Sequence, residues 1–173
     1  MTNMQNENSG KKGTQNVHQK FTARQNELRL LIINFIVDNH RPFNLDSDKA
    51  AAITTLSMSN SEYQEIIDCL LDKDGMVIND NKDVNYIYPV SSMSTNHHVK
   101  LADGREFTAM CAIDAIGAAF TFHQDTEVNS VCAISKEPVH IKIENERVVD
   151  YSPKELHALT FPLGELTNWA GSC

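Results

Sequence analysis

The stretch from Met110 to Phe122, Met-Cys-Ala-Ile-Asp-Ala-Ile-Gly-Ala-Ala-Phe-Thr-Phe, constrains this chain more than any other. It is mostly small and apolar, yet it carries a thiol and a carboxylate three residues apart, Cys111 and Asp114. Residues at i and i+3 share one face of a helix. A helix beginning here puts Cys111 in its first turn or just before it. Unpaired backbone N–H groups and the positive end of the helix dipole favour a thiolate at that place. A carboxylate within reach is then a proton acceptor and donor beside a soft nucleophile. Taken singly, the cysteine reads as a buried small hydrophobe and the aspartate as a helix-start carboxylate. A fold does not need the two together in order to be stable.

The 173 residues suffice for one medium domain or two small ones, and the formal net charge is −8. That charge weighs against non-specific DNA binding, which needs a basic face, and against an anionic membrane surface. No apolar run approaches the ~20 residues of a spanning helix. The N-terminus lacks the charged-then-apolar pattern of a signal peptide. The expectation is a cytoplasmic protein with no nucleic-acid or membrane partner. Its four cysteines, Cys69, Cys111, Cys132 and Cys173, form no C-x-x-C pair and are too widely spaced for a zinc finger or ribbon. In a reducing compartment they read as free thiols, metal ligands or catalysts rather than disulfides.

Residues 1–21 are polar and without periodicity, and read as a disordered tail. From Thr22, Leu28, Leu31, Ile32, Phe35 and Ile36 recur at helical spacing, and Asn39-His-Arg-Pro42 ends that helix. Asp46 is the expected cap of a second helix through Ala50–Ile53, and Ser59 or Ser61 of a third. The third buries Tyr63, Ile66, Ile67, Leu70 and Leu71, with Cys69 near that face. A hairpin follows, Gly75–Ile78 and Val84–Pro89 around Asn79–Asp83. Three helices and a hairpin are the order of a winged helix. The third helix carries Glu62, Glu65, Asp68, Asp72 and Asp74 against Lys73, so phosphates would repel it, and a packing module is the better reading.

Pro89–His98 reads as a connector between domains. His97 and His98 point to opposite faces of a strand, as surface histidines that share no metal. A second hairpin, turning at Asp103-Gly104, delivers the chain to Cys111. Strands are expected over Thr126–Ala133, Val139–Ile143 and from Val148, a helix start at Ser152–Glu155, and a strand over Leu156–Pro162. Apolar patterning persists to the last residue, Cys173, as if the pattern continued. The fold class expected is α+β: a winged-helix-like three-helix module over residues 22–90, then a mixed or antiparallel sheet core with short helices over residues 91–173, incomplete at its C-terminal end.

The second half resembles the organomercurial (alkylmercury) lyase family. The resemblance is carried by Cys111-Ala-Ile-Asp114, by Asn129-Ser-Val-Cys132 with a spacing of 21 from Cys111 to Cys132, and by the terminal Gly171-Ser-Cys173. The Asp103-Gly-Arg-x-Phe-x-Ala-Met-Cys-Ala approach and the Pro138 turn also fit. It implies protonolysis of a carbon–mercury bond, releasing a hydrocarbon and leaving Hg(II) on the protein. By position, Cys111 and Cys173 would be the mercury-binding thiols, Asp114 the proton carrier beside the metal, and Cys132 a structural thiol. No cofactor is implied. Small thiols would remove the product, and a mercuric reductase is the partner suggested. The residues agree: Hg(II) prefers thiolates, and a carboxyl beside the metal is suited to protonate carbon. The alternative is a protein without turnover, in which Cys111, Cys132, Cys173 and His123 hold Hg, Zn or Cu for delivery or sensing.

Overall fold

The computed structural model describes residues 20–158. The chain is α+β, with helices α1 (Ala23–Asn39), α2 (Lys49–Leu56) and α3 (Asn60–Asp72) first. Strands β1 (Val77–Ile78), β2 (Val84–Ile87), β3 (Val90–Ser91), β4 (His98–Leu101) and β5 (Glu106–Ala109) follow. Helix α4 (Ala112–Phe122) precedes β6 (Thr126–Val131), β7 (Pro138–Glu144) and β8 (Arg147–Ser152). Among the described residues, eight strands form one sheet in the order β1-β2-β3-β5-β4-β6-β7-β8, with every pairing antiparallel.

Local chemistry sets the helix ends. Thr22 and Gln25 form a reciprocal capping box at the start of α1, and His40 closes it in the left-handed conformation just before Pro42. Ser59 caps α3 by accepting from the Glu62 N–H at 3.1 Å. The expected cap of α2 is corrected. Asp48 rather than Asp46 precedes the helix, and its carboxylate turns to Arg41 and the Asn44 N–H instead. Asp46 is drawn away by Lys82, at 2.8 Å.

The apolar stripe of α1 buries Leu28, Ile32 and Ile33 completely, each worth roughly 1.5–3 kcal/mol. Arg29 is on that stripe and is equally buried. In the sheet, alternate residues Val99, Leu101, Phe107, Ala109, Val128, Val139, Ile141 and Ile143 form a buried face. Helix α4 packs along that face, from β3 to β7. Its Ala115, Gly117, Ala118 and Ala119 are buried, so the backbone comes close to the strands. Arg105 joins the halves of the molecule, donating to Asn34 on α1 at 2.8 Å while pairing with Asp103 in its own turn.

Two expectations change in the connecting segments. The stretch from Pro89 to His98 contains β3, which pairs β2 to β5, so the hairpin of the helical half is hydrogen-bonded into the sheet. Residues 153–155 form a turn closed by the Leu156 N–H on the Pro153 carbonyl, where a helix start was expected. Residues 156–158 are not a strand, and the rest of the Leu156–Pro162 segment lies outside the described residues. No helix among the described residues is long and apolar enough to cross a membrane.

Candidate active site

Cys111 is the N-cap of α4. Its backbone is extended (φ −142°, ψ 176°), and its carbonyl accepts the first helical bond, from the Ala115 N–H at 3.0 Å. Extended strand β5 ends at Ala109, two residues earlier, and the small residues from Ala112 onward favour helix. The thiol therefore stands where the chain changes from strand to helix, beside the unpaired N–H groups of the first turn. It is half-buried.

Asp114 occupies the third helical position and is only 6% exposed. Its carboxyl accepts from both the thiol and the backbone N–H of Cys111. The bond from the Cys111 N–H is one half of a capping box; the other half is absent, because the thiol turns to the carboxyl instead of capping the helix. Burial raises the acid to about 6, and the two bonds from Cys111 oppose that rise. Near neutrality such a carboxyl can both take and give a proton. Its Oδ2 is buried and has no hydrogen-bond partner among the described residues.

Tyr88 approaches this pair from the end of β2. Its hydroxyl lies against α4 at Gly117, one turn beyond Asp114, where a Cβ would collide with it and stand 2.9 Å from Cζ. Burial, then the charges of Asp114 and Cys111, raise the phenol above its ordinary value, and Arg29 counters them. Arg29 Nη2 donates to the Tyr88 carbonyl at 2.6 Å, while Nε and Nη1 have no partner among the described residues. Burial lowers this guanidinium to about 10.

Cys132 lies just past the end of β6, at the end of the sheet from which β5 delivers Cys111. Its thiol is engaged by its own turn, where hydrogen bonds from the Ser135 side chain, then from the Ser135 and Ile134 backbone, hold it below the usual thiol range. Cys173 lies outside the described residues. Cys69 is half-buried on α3 and accepts from Gln25 Nε2 at 3.3 Å. His123 caps the far end of α4 and faces Glu146 at 3.2 Å. At ~1.5 Å rise per residue the helix length separates it from Cys111, so it cannot share a ligand with that thiol.

His98 is exposed, whereas His97 is half-buried on the opposite face, with Nδ1 2.9 Å from Ser130 Oγ. Burial, then His98, lower His97. Only one of the pair is therefore a surface histidine. A groove of about 620 Å³ lies along the polar sheet face, lined by His98, Lys100, Glu106 and Glu127 among others, and none of the Cys111 site borders it. Among the described residues, no cluster of three or more His, Cys, Asp or Glu is arranged to hold a metal.

Sequence reasoning paired Cys111 with Asp114, which the structure brings into contact, but did not place Tyr88, Arg29 or Gly117 beside them. A signal was present for two of them. Arg29 falls in register with Ile32, Ile33 and Ile36 on a buried stripe, and Gly117 interrupts a run of alanines. Nothing in the sequence near Tyr88 points to α4.

The sequence model of the family described as "MerB: Alkylmercury lyase" matches residues 90–173, a span that holds Cys111, Asp114, Cys132 and Cys173. Among solved structures, "Crystal structure of the mercury-bound form of MerB2" superposes with a TM-score of 0.61 at 17% identity. The match covers 80% of this chain and 64% of that one, so the chain spans less than two thirds of that protein's length. At this identity the likeness is one of fold. No curated protein matches the chain. Over residues 90–173, just under half of its length, the chain is similar to the alkylmercury lyase family.

Proposed function

We propose that the chain cleaves carbon–mercury bonds by protonolysis. The observation that carries this reading is the Cys111–Asp114 pair, a thiol donating to a buried carboxyl at the start of α4. The organomercurial cation R–Hg⁺ is the substrate. As Cys111 Sγ bonds to mercury, the thiol proton passes to Asp114. Cys173, within the family match, supplies a second thiolate that puts electron density on the metal. The C–Hg bond then breaks with its electron pair on carbon, and carbon takes the proton from Asp114. Hydrocarbon leaves, and Hg(II) remains on the thiolates.

The acid near 6 suits both halves of this relay. The softness of mercury and one proton carry the chemistry, so the scheme calls for no further cofactor. Cys132, held by its own turn, keeps a structural role. Small thiols remove Hg(II), and a mercuric reductase consumes it, in a cytoplasmic detoxification route. Residues 22–90 serve as a winged-helix-like packing module. The similar solved structure is a mercury-bound form, which supports mercury as the ligand here.

The test is to incubate the protein with phenylmercury and excess small thiol and to measure benzene. Release that is lost in both Cys111→Ser and Asp114→Ala supports the reading. Mercury bound through Cys111 without benzene would make the site a soft-metal trap instead.

A further inference from the structure

Tyr88 has no part in the relay above, yet it is built into the same place. Gly117 follows Asp114 by three residues, so the two share a face of α4. The Tyr88 phenol fills the space that the missing Gly117 Cβ leaves, with Cζ 2.9 Å and Cε2 3.3 Å from that position. Arg29 holds it from the other side, through the 2.6 Å bond to its carbonyl and a guanidinium 6.0 Å from the ring centroid. A phenol kept neutral is a hydrogen-bond donor. The nearby Asp114 offers a buried acceptor, Oδ2, without a partner among the described residues.

In the structure the thiol and backbone of Cys111 serve the carboxyl. When mercury takes the sulfur, the thiol no longer donates, and the carboxyl loses half of what orients it. We propose that Tyr88 is a positioning residue for Asp114: once Cys111 Sγ is bonded to mercury, the Tyr88 hydroxyl donates to Oδ2 and holds the acid with its proton on Oδ1, toward the departing carbon. No bond is made or broken by tyrosine, and the proton count of the relay is unchanged. The inference rests on the protonolysis reading for its kinetic consequence, but its structural content, a tyrosine that becomes a donor when the sulfur is metallated, stands on the geometry.

The experiment uses Tyr88→Phe, which keeps the ring against Gly117 and under Arg29 and removes one oxygen. With phenylmercury and excess thiol, kcat falls about tenfold, the size of one well-placed hydrogen bond, while KM and the melting temperature hold. An unchanged kcat overturns the inference, as does a loss confined to KM, which marks mere packing. The second readout is the tyrosine Raman signature with and without mercuric ion. Mercury should convert one tyrosine to a stronger donor in the wild type, with no change in Tyr88→Phe or Cys111→Ser. If the wild type releases no benzene, the protonolysis reading fails by itself, and the Raman change alone decides. No change on mercury binding then overturns the role of Tyr88. If Tyr88→Phe melts low, the comparison of wild type with Cys111→Ser still settles it.

Discussion

The Asp114 carboxyl accepts hydrogen bonds from both the thiol and the backbone N–H of Cys111, three residues before it at the start of α4. One aspartate thus accepts from the helix's N-cap backbone and touches the thiol. Replacing it by asparagine keeps an acceptor for the backbone N–H but removes the proton carrier. Asp114→Asn should lower hydrocarbon release by about a hundredfold or more, the ordinary size of lost acid–base catalysis. Mercuric ion should still titrate Cys111, which the sulfur-to-mercury absorbance reports. Equal loss of mercury binding and turnover would mean that the aspartate only shapes the helix end.

The same carboxyl makes stability depend on pH. Its folded value, raised to about 6 by burial, exceeds that of an unfolded aspartate, near 3.9. Between those two values the folded state holds more protons than the unfolded state. Stability must therefore fall as pH rises through that window, by on the order of 3 kcal/mol once the acid is fully ionised. Asp114→Asn should lose this component. Urea midpoints for both proteins between pH 4 and 7 (~3 units around the window) check the sign. Wild-type stability that rises relative to the variant over this range would contradict the burial of Asp114.

Gly117 is required by the tyrosine that lies on it. A methyl there meets the Tyr88 hydroxyl and Cζ, which are held by the ring's own packing and by Arg29. Gly117→Ala should destabilise by about 1–3 kcal/mol, in spite of the better helix propensity of alanine. Chemical denaturation reads this directly. A neutral or stabilising result would show that Tyr88 moves away freely.

Cys132 differs from Cys111 in what holds it. Its sulfur is engaged by Ser135 and the adjoining backbone within one turn. A serine can accept the same bonds, so Cys132→Ser should change stability by less than about 1 kcal/mol and leave benzene release in place. Loss of release with the fold intact would promote this thiol from a structural to a chemical role.

Much of the architecture was legible because it is local. The spacing of Leu28, Ile32 and Ile36, the serine before α3 and the alternation of Val139 to Ile143 each follow from one stretch of chain. The Cys111–Asp114 pair was legible for the same reason, since a helix alone brings i and i+3 together. What escaped depends on distant contacts. Arg41 and Asn44 take Asp48 from its capping role, Lys82 takes Asp46, and β3 forms only because Val90 finds Ala109. Tyr88 could not be placed, because its relation to Asp114 runs through the contact of its ring with Gly117, distant in sequence, on α4.

The central claim is that one proton reaches carbon while mercury stays on sulfur. We would run phenylmercury turnover in deuterated water and measure the isotopic content of the benzene with the mercury retained by the protein. The expected product is benzene bearing a single deuterium, matched by retained Hg(II) in the absence of added thiol, with neither formed by Cys111→Ser. Benzene released at the wild-type rate by Cys111→Ser, or mercury bound at Cys111 with no benzene at all, would contradict it.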